Sequence, residues 1–159
     1  EALVRKGYLR VHRRRSRGIE VLVRSADTGE DTITVPFLGR VAAGRPTEVA
    51  EEGAEPIRVD KTVLGTASSG RLFALRVEGD SMTGRGIYEG DIAVAEADAE
   101  PRNGDIVVAL IDRESTLKTL AQGPDGGFLK AENQRYPDLL PVTDMTIQGV
   151  VRALIRKVG

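Results

Sequence analysis

From Ile33 onward the apolar residues come in short runs, each cut off by Gly, Pro, Asp or Asn before a 3.6-residue period can establish itself. Such a chain cannot build long amphipathic helices, and it is left with strands and turns. Apolar segments fall at Val35–Val41, Arg71–Val77, Asp91–Ala95, Asp105–Ile111, Ser115–Leu120, Gly127–Ala131 and Thr146–Lys157. Turn signals separate them at Glu89-Gly90, Asn103-Gly104, Asp112–Ser115 and Gly123–Gly127. The pattern predicts a mainly β domain, a compact and partly closed sheet structure.

The first residues differ in character. Leu3 and Val4 followed by Gly7 read as the last turn of a helix and its C′ stop. Tyr8–Val11 and Gly18–Val23 then read as two strands around the basic stretch His12–Arg17. A helix followed by a hairpin with a basic tip is how a winged helix-turn-helix ends, so 1–24 is expected to be the end of such a DNA-binding domain, truncated at its N-terminus. Charge agrees: residues 1–24 carry a net +6 and the remainder −7. Arg13, Arg14, Arg15 and Arg17 would make phosphate contacts of little sequence selectivity. Residues 25–34, small, polar and acidic, read as a linker, and 35–159 as the second domain.

Composition narrows the chemistry. There is no cysteine, hence no disulfide, thiol nucleophile or thiolate metal site, as fits a reducing compartment. The longest aliphatic run, Ile106–Ile111, is six residues, against roughly 20 for a membrane span. No carboxylate or histidine cluster has metal-ligand spacing, no nucleotide-binding glycine loop is present, and no cofactor is expected. The single histidine, His12, sits in the basic hairpin and reads as exposed or phosphate-contacting.

Two residues then stand out. Val77-Glu-Gly-Asp-Ser-Met82 follows a strand and breaks at Gly79, which presents Ser81 on a tight turn. The N–H groups of Ser81 and Met82 are candidate oxyanion donors. Lys118 lies in Ser115–Leu120 and shares a strand face with Thr116 and Leu120. A covered lysine loses hydration, its pKa falls, and a neutral amine becomes available to take a serine proton. Ser81 and Lys118 therefore form a candidate nucleophile and base. The small residues Val41-Ala-Ala-Gly44 suit a backbone pressed against a nucleophile in a narrow cleft. Taken singly, each motif is also compatible with an ordinary turn serine, a solvated strand lysine and an Ala/Gly loop. Glu78 and Asp80 are expected to be solvated.

Seven segments together, Leu38–Gly44, Val77–Met82, Gly86–Asp91, Asn103–Val108, Thr116–Leu120, Ala131-Glu-Asn133 and Ile147–Val151, resemble in order and spacing the LexA family of bacterial SOS repressors. Arg5–Leu9 and Ser16–Ile19 resemble the end of that family's winged domain. The resemblance implies a fold akin to the signal peptidases, with Ser81 as nucleophile, Lys118 as general base and Ala43-Gly44 as the bond cut. It implies a cytoplasmic, RecA-stimulated self-cleaving repressor that binds operator DNA as a dimer, its partners being a RecA filament on single-stranded DNA, operator DNA and a second copy joined through the β domain, with no membrane. Val150–Ile155 is the expected dimer contact, ordinary core packing being the other reading. The Thr83-Gly-Arg85 stretch departs from the family pattern. Alternatives are a UmuD-like polymerase accessory protein, which lacks a winged domain, a signal peptidase, which has a membrane segment, and a noncatalytic β module, which would never cleave.

Overall fold

The computed structural model describes residues 9–11, 19–21, 31–39, 55–111, 114–138 and 145–159. Strands β1 (Leu9–Val11) and β2 (Ile19–Val21) pair antiparallel, Leu9 opposite Val21. They are the expected hairpin. Its helix and its basic tip, with His12, Arg13, Arg14, Arg15 and Arg17, lie outside the described residues.

The second region is built on a six-stranded antiparallel sheet. Its strands are β5 (Leu72–Arg76), β6 (Ile92–Glu96), β7 (Ile106–Ile111), β8 (Glu114–Gly123), β9 (Gly126–Lys130) and β10 (Met145–Ile155). They are ordered β5-β6-β10-β7-β8-β9. Each coincides with an apolar run of the sequence, and turns fall at Gly104, just before β7, and at Gly126, in the β8–β9 hairpin, both at positive φ. β10 spans both halves of the sheet: its first half pairs with β7 and its second with β6. The register shifts between Ile147 and Gly149 and again between Val151 and Ala153. Such irregularities bend a strand and increase its twist, which lets one strand serve two differently directed half-sheets.

Buried on both faces, β5 and β6 separate two hydrophobic clusters. Leu72 and Ala74 of β5, with Val94 of β6, meet Ile33, Val35, Phe37, Val59 and Leu64. Phe73, Leu75, Ala93 and Ala95 point the other way, toward Met82, Ile87, Val108 and Leu117. A third cluster, including Val107, Leu120, Leu129 and Val150, fills the β7–β9 side.

A small two-stranded sheet supplies the first cluster. β3 (Thr32–Val35) pairs with β4 (Ile57–Asp60), which leads into one helical turn, α1 (Lys61–Leu64). Asp60 caps that turn by accepting the Thr62 N–H at 2.8 Å. Two sequence expectations change here. Residues 32–34, assigned to the linker, are strand, because Ile33 and Val35 bury their side chains in the core. The apolar run beginning at Val35 is not one strand: past Pro36 it leaves β4 and runs parallel to β5. There Pro36 O takes the Ala74 N–H, Ala74 O takes the Leu38 N–H, and Gly39 O takes the Arg76 N–H, at 2.9, 2.8 and 3.2 Å. β4 and α1 went unread in the sequence, since only Val59 and Leu64 are buried in them.

Val150–Ile155 sits at the centre of the sheet, between β6 and β7. Val150 and Ala153 are core, as the packing reading had it, while Leu154 is 38% exposed. Gly149 allows the bend: a Cβ there would meet the Phe73 ring at 2.9 Å and the Glu96 carbonyl at 3.0 Å. Gly149→Ala is expected to lower unfolding stability by about 1–3 kcal/mol through overpacking, read as a lower urea midpoint.

Candidate active site

β5 delivers the chain to Val77, Gly79 turns it at φ 77°, and Ser81 follows on the turn. Hydrophobic burial anchors that turn. Met82 is 2% exposed and Ile87 fully buried, both in the cluster beneath. A 3-10 turn, Thr83–Arg85, ends at Gly86 in the left-handed region, φ 72°. The chain then returns alongside Val77, whose N–H donates to Asp91 O at 2.8 Å and whose carbonyl takes the Gly90 N–H at 3.0 Å.

An ion pair locks this return. The Arg156 guanidinium donates through Nε to Asp91 Oδ1 and through Nη2 to Asp91 Oδ2, both at 2.6 Å, and through Nη2 to Gly86 O at 2.7 Å. Asp91 also accepts the Tyr88 N–H at 2.8 Å, and the guanidinium lies 4.7 Å from the Tyr88 ring centroid. The carboxylate is 2% exposed and so depends on these donors. The Arg156 hydrogen bonds, joined by the Tyr88 amide, hold the Asp91 carboxyl below its ordinary range despite burial, which pushes the other way.

Lys118 projects from β8, where it pairs with Val107. It is 6% exposed. Its Nζ lies 3.0 Å from Ser81 Oγ, 2.6 Å from Thr116 Oγ1 and 3.0 Å from Leu117 O. Burial lowers its pKa from the ordinary lysine value. No carboxylate among the described residues forms an ion pair with it to oppose that shift. An amine and a hydroxyl in this relation can pass a proton directly, the neutral amine accepting it. Thr116 shares the lysine's face, as strand alternation predicts. Its hydroxyl oxygen is the nearest acceptor to Nζ, so it fixes the direction of the amine.

Beside the pair is a cleft of about 80 Å³, lined by Val77, Gly79, Ser81, Met82, Thr116 and Leu117 among others. Its walls are mixed, the apolar Leu75, Val108 and Leu117 standing beside the polar or charged Arg76, Glu78 and Ser115. Ser81, Met82 and Lys118 are thus brought together. Ala43 and Gly44 lie outside the described residues. Asp80, expected to be solvated, is in fact engaged: its carboxylate accepts the Tyr136 hydroxyl and pairs with Arg135 at 3.7 Å. No helix among the described residues is long and apolar enough to cross a membrane.

A mainly antiparallel β domain carrying a serine against a buried lysine defines a serine-peptidase type of site. The model of the Peptidase S24-like family matches residues 36–152. The LexA repressor of Verrucomicrobium spinosum is 38% identical over 159 residues, covering 98% of this chain and 75% of that repressor. Those of Alcanivorax borkumensis and Pelotomaculum thermopropionicum are 38% and 40% identical, each covering 98% of this chain and 74% and 75% of the relative. The chain belongs to the Peptidase S24-like family, to its LexA repressor branch.

The Asp91 lock carries a signed pH dependence. With its folded pKa depressed, Asp91 contributes stability in full above about pH 4, the unfolded carboxyl value, and loses it as pH falls through the folded value. Arg156→Gln leaves that carboxylate buried without its main partner. The variant is expected to unfold at lower urea concentration at pH 7, the deficit shrinking as pH falls through the folded Asp91 value of the wild type.

Proposed function

We propose that this chain is a LexA-type repressor that inactivates itself by cutting its own Ala43-Gly44 bond, with Ser81 as nucleophile and Lys118 as general base. The observation that carries the proposal is the 3.0 Å contact between Ser81 Oγ and a buried Lys118 Nζ. In the first step Ser81 Oγ bonds to the Ala43 carbonyl carbon while its proton passes to neutral Lys118. The Ser81 and Met82 N–H groups hold the oxyanion that forms. Collapse breaks the Ala43–Gly44 C–N bond, and the Lys118 ammonium protonates the departing Gly44 amine. Water then attacks the Ala43 acyl ester, giving its proton to Lys118, which returns it to Ser81 Oγ as the ester breaks. The products are residues 1–43 and 44–159.

The course of the chain supports attack within one molecule. Gly39 is hydrogen-bonded to Arg76 on the strand that leads to Ser81, and Ala43 is only four residues further. Four extended residues reach up to about 14 Å. An intramolecular, aligned pair gains an effective concentration of about 10⁵ M or more, so the target must be held away until it is needed. The control is a two-state loop: 41–45 docked at Ser81, covering Lys118, or undocked with Lys118 wet. A RecA filament on single-stranded DNA acts by binding the docked state better. Before cleavage the protein represses in the cytoplasm as a homodimer on operator DNA, the Arg13, Arg14, Arg15 and Arg17 hairpin contacting phosphates. Separation of the basic fragment from the dimerising β domain ends repression, because two linked half-site contacts become one.

The test is incubation of the purified chain at pH 7 and near pH 10 with mass spectrometry. Masses for 1–43 and 44–159 are expected, faster at the higher pH and levelling once Lys118 is neutral. Ser81→Ala and Lys118→Ala should abolish them. Cleavage that survives either substitution removes the dyad, and no cleavage at any pH favours an inert β module.

Lys118 should also lower the stability of its own fold. A lysine whose folded pKa is depressed binds fewer protons folded than unfolded across the interval up to its ordinary value, so stability rises with pH through that window. Lys118→Met is expected to unfold at higher urea concentration than the wild type at pH 7. The advantage should shrink as pH approaches about 10.

A further inference from the structure

Behind the Ser81 turn lies the Ala131-Glu-Asn133 motif, to which the reaction above gives no part. Its contacts converge on the nucleophile's backbone. Asn133 Nδ2 donates to Asp80 O at 2.9 Å, and the Glu132 N–H donates to Ser81 O at 2.8 Å. The Glu132 carbonyl takes the Gly84 N–H at 2.7 Å. Glu132 Oε1 takes the Thr119 hydroxyl at 2.8 Å, and Lys130 Nζ stands 3.8 Å from Glu132 Oε2. Asn133 is itself held, its Oδ1 accepting the Arg135 N–H and its carbonyl the Tyr136 N–H, both at 3.0 Å.

Peptide geometry turns this bracket into an aiming device. In a trans peptide the N–H points opposite to the C=O. The Asp80 carbonyl shares its peptide with the Ser81 N–H, and the Ser81 carbonyl with the Met82 N–H. Both carbonyls are drawn to the 132–133 side, so both N–H groups are directed to the other side. Neither donates to a described acceptor. Adjacent N–H groups facing one way make an anion-binding concavity, and a hydrogen-bonded carbonyl polarises its peptide and strengthens the N–H as a donor.

We propose that Glu132 and Asn133 are positioning residues for self-cleavage, holding the Asp80 and Ser81 carbonyls so that the Ser81 and Met82 N–H groups point together at the oxygen of the carbonyl under attack. The inference rests on the Ser81–Lys118 reading. Thr119 makes the bracket reach further: it is next to Lys118 on β8 and faces the opposite way, so Glu132, through its carboxylate and its backbone N–H, ties the lysine's strand to the serine's backbone. Gly84 is the concession to this closeness, because a Cβ there would run into the Glu132 carbonyl oxygen.

The experiment follows self-cleavage of the full chain from pH 7 to 11 and extracts the plateau rate and the alkaline midpoint for wild type, Asn133→Ala, Asn133→Asp and Thr119→Val. Asn133→Asp retains shape and the Arg135 acceptor but removes the donor. Both Asn133 variants are expected to lose about 10- to 100-fold in plateau rate, as for a misdirected oxyanion donor, and Thr119→Val several-fold. The Asn133→Ala and Thr119→Val midpoints should stay where the wild type's is, since Lys118 remains buried. A wild-type plateau in either Asn133 variant overturns the proposal. So does a midpoint moved toward ordinary lysine with the plateau recovered, which would make the motif a cover for Lys118. If Asn133→Ala does not fold, as a thermal melt would show, Thr119→Val decides, and a wild-type plateau there is fatal. Ser81→Ala run alongside separates the two readings: cleavage in it removes the dyad, whereas an inert Ser81→Ala beside a fast Asn133→Ala removes only the bracket.

Discussion

A buried lysine ammonium with no carboxylate to pair it is an unfavourable thing for a fold to contain, and among the described residues Lys118 is held in this way. Among the described residues its Nζ has three oxygen neighbours, Ser81 Oγ, Thr116 Oγ1 and Leu117 O, and all of them are neutral. They satisfy hydrogen bonding without supplying a counter-charge. The amine is thereby kept dry and oriented while its proton is easily lost. A carboxylate in the same place would stabilise the charged amine and move its pKa back toward the ordinary lysine value.

The remainder of the domain supports that one contact. Ser81 and Lys118 come from opposite halves of the sheet, β5 and β8, with β6, β10 and β7 between them. Their meeting depends on the shape of the sheet, and that shape turns on the bends in β10 at Gly149 and near Val151. On the serine side three separate devices fix the turn: Met82 and Ile87 are sunk in the core, Arg156 clamps Asp91 and Gly86, and the 132–133 segment grips the Asp80 and Ser81 carbonyls. On the lysine side β8 is flanked on both edges by β7 and β9, so its register cannot slip without moving Lys118 to the wrong face.

Strands with an obvious apolar run were legible from the residues. The runs Asp105–Ile111 and Ser115–Leu120 stand on either side of the turn signal Asp112–Ser115, and β7 and β8 pair across it. Weakly apolar elements were not. Ile57–Asp60 and Lys61–Leu64 offer few buried side chains, and the place of β4 is set by its pairing with β3. The contacts of the partly exposed Asp80 are not legible locally, because its partners, Arg135 and Tyr136, are more than fifty positions away. The unusual Gly84 was noticed as a departure, but its reason lies in the Glu132 carbonyl, which no local pattern reveals.

The sequence by itself determined which chemistry was available: no thiols, a lone histidine in a basic hairpin, a serine on a glycine turn, and a lysine on a strand beside a threonine. These follow from residue type and from a period of two, which are local properties. Whether serine and lysine touch, whether the amine is dry, and which way the peptides around Ser81 face were decided by the tertiary structure. Each depends on distance and burial between segments remote in the chain, and those quantities exist only once the sheet has formed and bent.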